Sequence, residues 1–208
     1  MTSGEPQPGG AEPVPETTIR VRRALEGDAL SLAWIIERFS PLLLAYATHR
    51  LGAALRRRLD PEDLLQEAWL ISLPALQGLS PRDGRYTPVI LRFLSTTIRH
   101  RILKLYERQR VAREESITID SGHFDPSMTG VVSAAVRSES RRAVVRAIDE
   151  LSEADREILL LRGVEGRAHA EIGASLEITP EASAVRYHRA LARLRERLPA
   201  TILDELPE

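Results

Sequence analysis

The 208-residue sequence contains no cysteine, which excludes a disulfide framework and any zinc site built on thiolates. Aromatic residues make up only 4%, and alternating β-branched stretches are rare, so little favours a sheet. Long apolar runs are lacking as well. The longest centres on Leu42–Ala45, far short of the ~20 residues that span a bilayer. The opening Met-Thr-Ser-Gly-Glu-Pro has neither the basic nor the apolar stretch of a secretory leader, so a cytoplasmic protein without membrane insertion is expected. What is present is 43% hydrophobic residues, enough for a core, at helical spacing. An all-α protein of two small helical domains joined by a flexible linker is the expected architecture.

Lysine is almost missing too: Lys104 is the only one, and every other cation is arginine. Arginine suits bidentate contact with phosphate and guanine, although a GC-rich genome enriches it equally. The net charge of −1 conceals an uneven distribution. From Arg92 to Arg113, seven cations (Arg92, Arg99, Arg101, Lys104, Arg108, Arg110, Arg113) face Glu107 alone. From Arg186 to Arg197, five arginines face Glu196 alone. Two separate basic stripes fit a polyanion touched at two places.

Residues 1–17, rich in proline, glycine and glutamate, read as a disordered tail. Ala24, Leu25, Leu32, Ile35, Ile36, Phe39, Leu43, Leu44 and Ala47 recur at threes and fours, predicting a pair of amphipathic helices with Ser40-Pro41 starting the second. Asp60-Pro61-Glu62-Asp63 combines an N-cap, an N1 proline and first-turn acids, with Leu64, Leu65, Ala68, Trp69 and Leu73 as the buried face. Gly78–Pro88 reads as a loop. A long helix from Val89 to about Arg113 follows, apolar along Ile90, Phe93, Leu94, Ile98, Ile102 and Leu105. The first domain is therefore expected over 18–113, a linker over 114–136 and a second domain over 137–208. In the second, Ala143, Val144, Ala147, Ile148 and Leu151 form one stripe, and Ser152 to Asp155 starts another helix.

His169–Leu176 and Pro180–Leu198 then make a short helix, a turn at Glu177-Ile178 and a longer arginine-rich helix capped by Thr179, a helix-turn-helix layout. At about 100° per residue, Tyr187, Ala190, Leu191, Leu194 and Leu198 fall on one side of the longer helix. Val185, Arg186, Arg189 and Arg193 fall on the other. That split suits a helix in a major groove, with Arg186 and Arg189 near base edges and Arg193 nearer phosphate. Val185 is placed to touch a thymine methyl. His188, at the edge of this face, is equally a DNA contact or an ordinary surface residue.

Asp60 to Leu70 closely resembles the D-x-x-D-L-x-Q-E-x-[FW] signature of sigma-70 region 2. Leu151 to Leu198 resembles sigma region 4. It starts as L-S-x-x-x-R-E-[IV]-L-x-L-R (Leu151, Ser152, Arg156, Glu157, Ile158, Leu159, Leu161, Arg162) and ends as R-x-H-R-A-x-x-x-L-R (Arg186, His188, Arg189, Ala190, Leu194, Arg195). Two such regions with no room for a third look like the extracytoplasmic-function group of sigma factors. Phe93 stands where many relatives have tryptophan, and Glu177 where the turn usually has glycine.

The resemblance implies an alternative sigma factor, not an enzyme, that binds core RNA polymerase and recognises −10 and −35 promoter elements. Asp63, Gln66 and Glu67 would face the β′ coiled coil, and region 4 would meet the β flap. The loop and basic helix, with Arg85, Tyr86, Arg99, Arg101, Lys104 and Arg108, would hold the melted −10 element. Tyr86 and Phe93 offer rings to a base, or else belong to the core, the expected place of Phe93. Val185, Arg186, His188, Arg189 and Arg193 would meet the −35 duplex. An anti-sigma factor is a further partner such a protein admits. No cofactor and no metal is expected, since His169 and Glu171 lack a third ligand. A helix-turn-helix repressor remains the chief alternative, which explains the C-terminal half alone.

Overall fold

The computed structural model describes residues 14–115, 139–198 and 202–206. Nine α-helices are found among them, and no strand beyond one isolated bridge between Arg82 and Arg85. The N-terminal domain contains α1 (Glu16–Leu25), α2 (Ala29–Arg50), the single turn α3 (Ala53–Arg56), α4 (Pro61–Leu76) and α5 (Thr87–Glu115). The C-terminal domain contains α6 (Glu139–Asp149), α7 (Glu153–Leu159), α8 (His169–Leu176) and α9 (Pro180–Arg197). A wider π-type turn, Leu160–Val164, extends α7, and a 3-10 turn, Ile202–Glu205, follows α9.

The first helical break does not fall at the proline. Helix α2 runs unbroken through Pro41, so the expected start at Ser40-Pro41 is corrected. The break lies at Gly27, with φ +97°, and Asp28, whose carboxylate caps Leu30 N at 3.1 Å. A proline inside a helix costs about 3 kcal/mol. Here Phe39, Leu42, Leu43, Tyr46 and Ala47 are completely buried around it, and burying a large side chain contributes ~1.5–3 kcal/mol apiece. Packing outweighs the proline. The expected boundary at residue 18 also shifts: α1 begins at Glu16, and Thr17 and Thr18 are buried. Residues 1–13 and most of the expected linker lie outside the described residues.

Helix α2 is the axis of the N-terminal domain, packed against α1, α4 and α5. By length and composition it is apolar enough to cross a membrane, but over half of that window is buried inside the fold. Trp69 of α4 is fully buried and its indole N–H donates to Ser40 Oγ at 3.1 Å, satisfying the one polar atom of a large apolar ring. Asp60 caps α4 through Glu62 N at 2.8 Å, and Pro61 occupies N1 as the sequence predicts. Helix α5 starts two residues earlier than expected because Pro88 falls in its first turn, where its missing N–H costs nothing.

The two domains are packed together. Helix α6 lies on α2, and α5 touches the π-type turn, so Val144, Ala147 and Ile148 join one apolar core with Ile35, Leu43 and Trp69.

Candidate polymerase and nucleic-acid interfaces

The C-terminal helix-turn-helix is built around a close approach. Gly173 sits in α8, and a Cβ there would lie 2.6 Å from the carbonyl oxygen of Ile178 and 3.3 Å from Pro180 N. Ile178 N donates back to Gly173 O at 3.0 Å, so the turn closes directly on a residue with no side chain. The turn itself passes through Glu177 in the left-handed region, φ 55° and ψ 40°. Glutamate therefore adopts the conformation that usually selects glycine. Thr179 Oγ1 then caps α9 by accepting from Ala182 N at 3.1 Å, with Pro180 at N1.

Helix α9 is sharply two-sided. Tyr187, Ala190, Leu191 and Leu194 are buried, while Val185, Arg186, His188, Arg189 and Arg193 are exposed. Burial pushes the Tyr187 phenol pKa upward, which keeps this inward group neutral. Among the described residues, no ion pair involves Arg186 or Arg189, whereas Arg193 reaches Asp155 at 3.4 Å and Arg197 reaches Glu150 at 2.5 Å. Exposed pairs of that kind contribute at most about 1 kcal/mol. His169 and Glu171 are occupied by the fold. Glu171 accepts from Ala168 N at 2.9 Å, and His169 Nδ1 lies 3.0 Å from Ser183 Oγ, its ring edge-on to Tyr187. Burial, then Arg162 and His188, hold the His169 pKa below the ordinary imidazole value.

In α5, Ile90, Leu91, Leu94, Ile98 and Ile102 are buried, and Arg99, Lys104, Arg108 and Arg110 are exposed. Arg85 is exposed in a tight turn with Asp83 at φ 50° and Gly84 at φ 72°, closed by reciprocal backbone bonds between Arg82 and Arg85. Two expected −10 residues are placed differently. Tyr86 is only 7% exposed, so its ring is packed into the core and not presented to a base. Arg101 is half-buried and ion-paired with Glu67 of α4. That pair also alters the expected polymerase stripe. Asp63 is exposed and Gln66 half-buried, but Glu67 is turned toward α5. Phe93 packs against the core, as expected.

Sequence reasoning missed the seam between the domains. Arg50 holds Glu157 and Glu165 at once, at 2.7 and 3.0 Å. Nearby, Arg82, Arg92 and Arg99 share a cleft of about 390 Å³ with Glu165, Gly166, Arg167 and Glu171. These partners are far apart in sequence and on opposite sides of the expected linker, so no local periodicity signals them.

Comparison with known proteins gives these two surfaces a common meaning. The profile for Sigma-70 region 2 matches residues 35–111, and that for Sigma-70, region 4 matches residues 141–194. The chain is 32% identical to the ECF RNA polymerase sigma factor ShbA of Streptomyces griseus, over 86% of this chain and 95% of ShbA. It is 28% identical to the ECF RNA polymerase sigma factor SigD of Mycobacterium tuberculosis, over 86% of this chain and 82% of SigD. With RNA polymerase sigma factor CarQ of Myxococcus xanthus the identity is 30%, over 66% and 74% of the two chains. A buried-core helix bundle with a basic outer helix, followed by a helix-turn-helix and matched in that order along most of its length, places this chain in the ECF group of the sigma-70 family, the alternative sigma factors that direct RNA polymerase to particular promoters.

Proposed function

We propose that this sigma factor divides promoter recognition between its two domains, with α9 reading the −35 duplex and α5, with the Arg82–Arg85 turn, holding the melted −10 strand. The observation that carries this is the two-sidedness of α9. Arg186 and Arg189 are exposed, without an ion pair among the described residues, on a helix whose other face is completely buried. Unengaged guanidinium groups on the outward face of the second helix of a helix-turn-helix are suited to guanine edges, and Arg193 to phosphate. Val185 and His188 flank them on the same face. On α5, Arg99, Lys104 and Arg108 supply the cationic track, while Arg101 acts through Glu67. Work on DNA with RNA polymerase implies a cytoplasmic location.

Core polymerase meets α4 in this reading, through its exposed side, with the β′ coiled coil as the partner and the β flap taken by region 4. Asp63, which is exposed, and Gln66, which is half-buried, carry the contact. Glu67 is a poor probe because changing it also releases Arg101. Replacing Asp63 with lysine and Gln66 with alanine should leave the circular dichroism spectrum unchanged yet abolish co-elution with core polymerase in gel filtration. Normal co-elution with a normal spectrum would remove α4 as the polymerase surface. An anti-sigma factor, where one exists, competes for the same surfaces.

A further inference from the structure

The cleft between α5 and the stretch 166–168 before α8 has two adjoining halves of opposite character. The polar half, of about 390 Å³, gathers Arg82, Arg92, Arg99 and Arg167 against Glu165 and Glu171. The other half, also about 390 Å³, is lined by Leu79, Pro88, Val89 and Phe93. Arg82, Arg92, Thr96 and Gly166 border both, so a molecule lying along the cleft meets guanidinium at one end and hydrocarbon at the other. Each half alone falls within the ~300–1,000 Å³ of small-molecule sites.

In the polar half, every group except the guanidiniums is already engaged. Glu165 accepts from Tyr46 O–H at 2.9 Å and from Arg50 Nη2 at 3.0 Å, and Glu171 accepts from Ala168 N at 2.9 Å. Burial, then Glu165, pushes the Tyr46 phenol pKa upward, so this ring adds no negative charge. Ser95 and Thr96 direct their hydroxyl protons at Arg92 O, at 3.0 and 2.8 Å. Among the described residues no ion pair involves Arg92 or Arg99, and those of Arg82 and Arg167 are long, with Asp83 at 3.7 Å and Glu165 at 4.0 Å. Four cations around one space repel one another, and an anion there relieves the repulsion. Guanidinium forks take oxygens two at a time. A phosphate has oxygens for more than one fork, a carboxylate for one.

The apolar half sets the rest of the ligand. Leu79, Pro88, Val89 and Phe93 are half-buried, and Thr96, whose proton is already donated, is the one neutral polar side chain beside them. A heterocyclic base placed there would give up the hydrogen bonds of its edge to water without replacement, which is costly. A hydrocarbon chain gives up none. We infer that this cleft is a binding site for a phosphate monoester of a hydrocarbon chain, with the phosphate among Arg82, Arg92, Arg99 and Arg167 and the chain along Leu79, Val89 and Phe93. The site shares Arg82 and Arg99 with the surface assigned above to the −10 strand. Occupancy therefore excludes the strand. That consequence rests on the promoter reading, whereas binding of the ligand does not.

The test is calorimetric titration of the full chain with hexyl phosphate, beside ethyl and butyl phosphate, inorganic phosphate, hexanol and adenosine monophosphate. Affinity should rise from ethyl to hexyl phosphate by up to about fourfold per methylene buried. Inorganic phosphate and hexanol, each lacking one end of the ligand, should bind at least about tenfold more weakly than hexyl phosphate. Arg92→Ala with Arg167→Ala should weaken hexyl phosphate at least about tenfold with an unchanged circular dichroism spectrum. Val89→Gln should flatten the dependence on chain length and leave ethyl phosphate binding as it was. Should that variant lose helicity, Leu79→Gln, outside the helices, should flatten it in the same way. Hexyl phosphate should also displace a single-stranded −10 oligonucleotide. Affinity independent of chain length, an unchanged affinity in the Arg92, Arg167 variant, or tighter binding of adenosine monophosphate than of hexyl phosphate would overturn the site. Failure of the promoter reading has a different signature: hexyl phosphate binds with the expected chain-length dependence, but oligonucleotide binding is indifferent to it.

Discussion

Replacing Gly173 with alanine should cripple −35 recognition without touching any DNA-facing residue. The new methyl would sit 2.6 Å from Ile178 O, inside the distance at which backbone oxygen and carbon repel strongly. The clash is with backbone on the tight side of the helix-turn-helix, so no side chain can swing away. The turn must move, and α9 with it. Overpacking of this kind costs about 1–3 kcal/mol, so thermal unfolding should come several degrees lower. The larger effect is geometric. In the promoter reading proposed above, the reach of Arg186 and Arg189 depends on the angle between α8 and α9, and a small tilt would carry them away from base edges. Binding to a −35 duplex should fall sharply while binding to core polymerase through α4 persists. An alanine variant with unchanged melting and unchanged duplex binding would show that Gly173 is not the seat of the turn.

The second large effect concerns sequence reading itself. Arg186→Ala with Arg189→Ala should erase preference for the cognate −35 sequence, at about 1–3 kcal/mol for each bidentate arginine–guanine pairing removed. Helicity should not change, since both side chains are exposed on a helix anchored by Tyr187, Leu191 and Leu194. Arg193→Ala provides the contrast. It should weaken all duplexes alike and lower the slope of log affinity against log salt by about 1. If the double variant discriminates as well as the unaltered chain, base reading belongs to other residues.

Several elements were legible because their signals are local. The Asp60 and Thr179 caps, the N1 prolines after them, and the two-sidedness of α9 follow from neighbouring residues and the 3.6-residue period. The Gly27-Asp28 break was equally local, with a C-terminal glycine and an N-capping acid, but the proline at 41 is the stronger local signal and tertiary burial overrides it. The placement of Glu67, Arg101 and Tyr86 was not legible, for another reason. Composition and resemblance put each on a working surface, whereas packing between α4, α5 and the turn before α5 decides which way a side chain faces. The seam between the domains has no signature in the sequence. Arg50, Glu157 and Glu165 have no shared pattern, and only the packed fold brings them together.

Run-off transcription with purified core RNA polymerase on fragments of the source genome tests the central claim most directly. Adding this chain should produce discrete transcripts whose start sites share a −35-like and a −10-like element, absent with core enzyme alone and abolished by the Arg186→Ala, Arg189→Ala variant. No transcript above the core-enzyme background, with a chain that is folded by circular dichroism, would contradict it.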